Sequence, residues 1–169
     1  MKRDELREAQ RPLKERYREE PETALLTLAA DGELGAEGMA CSVETGRALV
    51  EAGLHPASGG DGTLACSGDM LLQSLVACAG VTLRSVAVNR GLEVTGRVVA
   101  EGDLDFRGTM GVDRDAPVGF TAIRLRFELD SEASDEELDS LLETTERYCI
   151  VYQTLAGGVP LEVSRSASR

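Results

Sequence analysis

Hydrophobic and polar residues follow two rhythms along this chain, and the switches between them mark out its elements. Apolar Ile123, Leu125, Phe127 and Leu129 interleave with Arg124, Arg126 and Glu128. A period of two sends successive side chains to opposite faces of a strand, so one face is wet and the other covered. Composition extends this reading to strands over Leu92–Phe106 and Phe120–Leu129. Downstream, Ser134-Asp135-Glu136-Glu137 has the spacing of a capping box, in which the hydroxyl and the carboxylate satisfy each other's free backbone amides. The helix it opens presents Leu138, Leu141, Leu142, Thr145 and Tyr148 inward, and Cys149, seven residues after Leu142, falls on the same face.

Between Met70 and Leu83 the helical pattern is apolar at nearly every position. Such a helix is buried all round, within the domain or in an oligomer interface. It runs from Ser67, which can cap free amides, past Asp69 in the positive first turn, to about Asn89-Arg90-Gly91. Leu71, Leu75, Cys78 and Thr82 share one stripe by their three-and-four spacing. Upstream, His55–Thr63 is dense in Gly and Pro and reads as a loop feeding this helix. Thr23–Ala30 and Met39–Thr45 read as a hairpin turned through Asp31-Gly32, Gly35 and Gly38. Asp4–Glu20 reads as a charged helix, broken or kinked at Pro12, with Leu6, Leu13 and Tyr17 as its seam. Gly157-Gly158 ends the second helix before a short strand, Val159–Val163. The organisation is therefore an N-terminal helical arm, 1–22, and one domain, 23–169. Its class is α+β, with helices packed on one face of a largely antiparallel sheet.

Composition narrows the function. With 169 residues, 42% of them hydrophobic, the chain suits one compact domain. A formal net charge of −12 argues against nucleic acid and against an anionic membrane surface, both of which reward clustered Lys and Arg. No apolar run reaches the roughly 18 to 20 residues of a membrane span, and the charged opening Met1-Lys2-Arg3-Asp4-Glu5 has no signal-peptide core. The expected compartment is the cytoplasm, where thiols stay reduced. The four cysteines lack a Cys-x-x-Cys pair, which disfavours zinc, and no Gly-Lys-Ser/Thr follows the Gly-rich loop, which disfavours phosphate binding. No metal or cofactor is expected.

Chemistry then rests on thiols. The single histidine, His55, precedes Pro56 in the loop, a poor setting for a positioned base, so a Cys–His hydrolase ranks last. Cys78 and Cys149 each have two readings: a small apolar filler, since free cysteine is among the most buried residue types, or a reactive thiol. If folding brings them together they form a redox pair. Cys41 and Cys66 flank the loop and read as incidental.

The stretch Gly59-Gly60-Asp61-Gly62, the run from Cys66-Ser67-Gly68-Asp69 through Ala77-Cys78-Ala79 to Leu83, and Tyr148-Cys149-Ile150-Val151 resemble the OsmC/Ohr family of thiol-dependent peroxidases over roughly Thr45–Val163. The resemblance implies an intertwined homodimer in which antiparallel sheets wrap two long central helices, with active sites at the subunit interface. It implies Cys78 as the peroxidatic and Cys149 as the resolving cysteine, closing a Cys78–Cys149 disulfide on organic hydroperoxides, with a lipoyl-type or small-thiol dithiol as reductant. A thiolate attacks, and an apolar setting opposes its formation, so a cation is expected beside Cys78. By resemblance this is an arginine from a loop before the central helix, held by an acid. Arg47, the only arginine between Arg18 and Arg84, and Asp69 take those roles. Two positions depart from the family pattern: Gly68-Asp69 where Pro-Glu is familiar, and Cys149-Ile150 where Cys-Pro is frequent. Asp69 lies nine residues before Cys78, about 13 Å along the helix, so it acts through Arg47 or across the dimer. The alternative is a non-enzymatic OsmC-like dimer that binds a small apolar ligand.

Overall fold

A computed structural model describes residues 49–111 and 113–166, the backbone of two strands at 32–34 and 40–44, and four positions within the first 19 residues. Apart from those four positions, the N-terminal arm with its boundary at residue 22 lies outside the described residues, as do the expected strand Thr23–Ala30, Arg47 and the side chain of Cys41.

Four strands form one sheet in the order β1 (Gly32–Leu34), β2 (Ala40–Glu44), β3 (Leu49–Gly53), β4 (Ala65–Cys66). β2 occupies the expected second half of the hairpin. Its partner, however, is the segment Gly32–Leu34, where a turn was expected, with Gly32 opposite Val43 and Leu34 opposite Cys41. β4 joins β3 in parallel and passes directly into the central helix α1 (Ser67–Arg90).

α1 starts and stops where the sequence indicates, with one change. Cys66, not Ser67, is the N-cap, and no side chain caps it. At the other end Gly91 adopts φ 75°, which only glycine takes without strain, and Leu92 N–H reaches back to Ala87 O at 2.9 Å. α1 is not buried all round. Leu75, Ala79, Leu83 and Ala87, each four residues apart, form the buried stripe, whereas Leu71 is 38% and Val81 72% exposed. The stripe predicted from Leu71, Leu75, Cys78 and Thr82 is thus rotated by about one residue, and Cys78 sits at its margin, half-buried. By length and mean hydropathy α1 is also long and apolar enough to cross a membrane, although Gln73 and Arg84 interrupt its apolar run.

β5 (Thr95–Leu104) and β6 (Phe120–Asp130) form a two-stranded antiparallel sheet, joined through the short helix α2 (Phe106–Thr109). The alternation read from the sequence holds in register. Val98 faces Phe127 and Ala100 faces Leu125 on the covered side, while Arg97 faces Glu128 and Glu101 faces Arg124 on the wet side. Those charges pair across the strands, but at exposed positions they add little stability. Gly102 is required by packing: a Cβ there would lie 2.4 Å from the Phe120 ring.

α3 (Asp135–Tyr148) carries the predicted capping box, with Glu137 N–H donating to Ser134 Oγ at 3.3 Å and Ser134 N–H to the Glu137 carboxylate at 3.0 Å. It lays Leu141 against Leu83, Ala87 and Val94 to make the core. α4 (Ile150–Gly157) follows at once. Beyond it residues 159–163 form no strand, contrary to expectation, and leave Leu161 87% and Val163 98% exposed.

Candidate active site

Cys149 is not inside a helix, as its apolar neighbours suggest, but between two. Its N–H donates to Thr145 O at 2.9 Å and closes α3, while its own carbonyl accepts Gln153 N–H at 2.9 Å and opens α4. Its backbone is extended, φ −76° and ψ 108°, so the chain changes direction at one residue without Gly or Pro. The two helix ends then tie to each other: Gln153 Nε2 donates to Glu146 O at 2.9 Å and Tyr152 hydroxyl to the Glu146 carboxylate at 3.3 Å. That carboxylate, together with burial, raises the Tyr152 hydroxyl's pKa above its ordinary value. Thr145, buried in the last turns of α3, donates its hydroxyl to Leu141 O at 2.8 Å.

This junction packs against α1 and brings the two thiols close enough to shift each other's acidity. Cys149 is buried, 1% exposed, and Cys78 half-buried; both are free thiols. Their acidities are pushed apart. Burial is the largest influence on Cys78 and raises it, but the Val151 amide, the Cys149 thiol, the Ile150 amide and Thr82 together outweigh burial and hold it below the ordinary thiol value. The Thr82 contribution is the weakest physically, because its hydroxyl already donates its single proton to the Cys78 carbonyl, with Oγ1 2.8 Å from that oxygen. Burial also raises Cys149, and the neighbouring Cys78, as hydrogen-bond partner and as negative charge, raises it further against the Tyr152 and Val151 amides. Two titratable groups forced apart in this way take different roles: Cys78 ionises first and Cys149 keeps its proton.

The other expected members stand elsewhere or cannot be placed. Asp69 is exposed in the first turn of α1, and among the described residues nothing bonds its carboxylate. Arg47 is outside the described residues. His55 caps a 3-10 turn, Pro56–Ser58, with Nδ1 accepting Ala57 N–H at 3.0 Å, and stacks on Phe106 with centroids 5.1 Å apart. Cys66 sits at the head of α1 beside Phe120. The sequence reading missed the backbone of Ile150 and Val151 and the Tyr152–Glu146 tie. The only available signal was the helical pattern running without interruption through Cys149, which hid the break.

A groove of about 690 Å³ opens beside this site between the inner face of β6 and the helices, lined by Ile123, Leu125 and Phe127 opposite Leu75, Tyr152 and Leu155. Leu75 and Tyr152 each stand three residues from one of the two cysteines.

Comparison with known proteins gives a consistent result. The chain resembles in fold the OsmC-like protein of Mycoplasma pneumoniae, with a TM-score of 0.66 at 16% identity over 79% of this chain and 89% of the other. It resembles an organic hydroperoxide resistance protein OsmC of Legionella pneumophila, with a TM-score of 0.59 at 18% identity over 79% and 91%. For the organic hydroperoxide resistance protein OhrB of Bacillus subtilis the TM-score is 0.51 at 16% identity over 79% and 93%. Comparison with the sequences of curated proteins gives no significant match. Residues 60–164, well over half of the chain and including both cysteines of the site, match the profile of the OsmC-like proteins, and the chain belongs to that family.

Proposed function

We propose that the protein is a thiol-dependent peroxidase that reduces organic hydroperoxides, with Cys78 attacking and Cys149 resolving. The observation that carries this reading is a pair of neighbouring free thiols whose acidities are driven in opposite directions. The Cys78 thiolate attacks the terminal peroxide oxygen; the O–O bond breaks, sulfur is oxidised to a sulfenic acid, and the departing alkoxide takes a proton to become the alcohol. Cys149, held against it, displaces the sulfenic hydroxyl as water and forms the Cys78–Cys149 disulfide. A dithiol of lipoyl or small-thiol type then restores both thiols by exchange and is itself oxidised. Ile123, Leu125, Phe127 and Leu155 give the groove beside the site an apolar wall for an alkyl chain, next to Arg126 and Glu146. The names of the Legionella and Bacillus proteins agree with such a role.

The exposed apolar residues of α1, Leu71 and Val81, favour an intertwined homodimer in which a second copy covers them. A cytoplasmic location, which keeps the thiols reduced between turnovers, belongs to the same proposal. The groove also supports a second reading, a dimer that binds a small apolar ligand and leaves its cysteines idle. Peroxide consumption in the presence of a dithiol decides between them. The enzyme reading predicts many turnovers of an alkyl hydroperoxide by the wild type and none by Cys78→Ser. Equal consumption by the two proteins would remove Cys78 from the reaction.

A further inference from the structure

We propose that Gln153 is a positioning residue for Cys149: bonded to Glu146 across the break between α3 and α4, it holds the buried thiol in the geometry that closes a disulfide with Cys78. An α-helix ends with carbonyls that have no donor inside it. In α3 the Thr145 carbonyl is answered by Cys149 N–H at 2.9 Å, and the next in line is Glu146 O. A continuous helix would answer it with the Ile150 amide, four residues on, but the helix breaks at Cys149. The side chain of Gln153 takes that place, with Nε2 donating to Glu146 O at 2.9 Å. The end of α3 is thus capped from α4.

Gln153 therefore donates twice, and its two bonds act together. Its backbone N–H goes to Cys149 O at 2.9 Å, and its side chain goes to Glu146 O, about one turn earlier. Tyr152 adds a longer tie to the same residue, its hydroxyl 3.3 Å from the Glu146 carboxylate. Packing alone holds α4 loosely. It is eight residues long with none of them buried, and a helix so short is marginal by itself. Cys149 is held more firmly, 1% exposed and hung by its amide on Thr145, which is buried as well. Because one residue joins the two helices, the angle between them turns on φ and ψ of Cys149, and the direction of its side chain follows those angles. Disulfide geometry is exacting, so closing a bond to a thiol on α1, against which both helices pack, requires that direction to be kept. The Gln153 side chain keeps it.

That the disulfide forms in answer to peroxide rests on the peroxidase reading; the positioning does not, and a peroxide-free reaction tests it. The full chain carrying Cys41→Ser and Cys66→Ser is mixed with one equivalent of dipyridyl disulfide, and the release of pyridinethione is followed. The Cys78 thiolate attacks the S–S bond of the reagent, forms a mixed disulfide and expels the first pyridinethione. Cys149 then gives up its proton, attacks the Cys78 sulfur, expels the second pyridinethione and leaves the Cys78–Cys149 disulfide. Gln153→Met, which keeps the length and removes the donor, should leave the first phase within about twofold and slow the second about tenfold, the loss expected for one hydrogen bond. Gln153→Lys keeps an N–H that can reach the last carbonyls of α3, and should bring the second phase back to within about threefold of the wild type. Gln153 is exposed, so neither change empties the core. An unchanged second phase in Gln153→Met would overturn the proposal. So would equal slowing of both phases, or a Gln153→Lys protein as slow as Gln153→Met. The predicted slow second phase, found beside a wild type that consumes no peroxide, would leave the positioning role standing and remove the peroxidase reading instead.

Discussion

Two helices in this protein begin at a cysteine, and the difference between them explains why one is chemically interesting. Cys66 heads α1 and Cys149 heads α4, and neither side chain caps its own helix. The start of α1 is complemented locally, by Asp69 in its first turn, and lies at the surface. The start of α4 has no local acid and packs against α1 in a place where Cys149 is buried. A helix's positive end answered by its own sequence is a matter of stability. Set beside a second thiol on a neighbouring helix, it belongs to a pair whose acidities are driven apart.

The comparison breaks most visibly at the two cysteines themselves. Cys66→Ser should leave dithiol-driven peroxide consumption within about twofold of the wild type, whereas Cys149→Ser should stop the Cys78 disulfide from forming and leave a sulfenic acid that dimedone traps. Comparable losses in both variants, measured by peroxide disappearance, would mean that the two helix starts are not different in kind. A smaller effect sharpens the role of Asp69. If it only complements the first turn of α1, Asp69→Asn should lower stability to urea by about 0.3 kcal/mol and leave the peroxide rate unchanged. A large drop in rate with unchanged stability would instead support Asp69 as the holder of Arg47.

The sequence carries its own local devices clearly. The capping box at Ser134 and Glu137, the stop at Gly91 and the alternation from Ile123 to Leu129 all appear as read, because each is settled by neighbours within a few positions. Where partners are distant the reading slipped. The buried stripe of α1 is Leu75, Ala79, Leu83 and Ala87 rather than the stripe through Cys78, because two alanines allow close approach to β5 and α3, and hydrophobicity alone does not rank an alanine face above a leucine one. Val159–Val163 has strand composition but pairs with no strand among the described residues. The two cysteines were singled out from the sequence and the fold makes them neighbours; of the pair expected to activate Cys78, Asp69 is exposed in the first turn of α1 and Arg47 lies outside the described residues. Backbone amides leave no mark in a sequence. Only the break at Cys149 exposes them, and with neither Gly nor Pro there the break was unreadable.

The central claim is that Cys78 and Cys149 form one redox unit. The most direct test is to add one equivalent of an alkyl hydroperoxide to the fully reduced protein and map its cysteines by mass spectrometry. The account predicts loss of two hydrogens, one equivalent of alcohol, and a single Cys78–Cys149 disulfide. A protein that stays reduced, or one whose disulfide joins other cysteines, would contradict it.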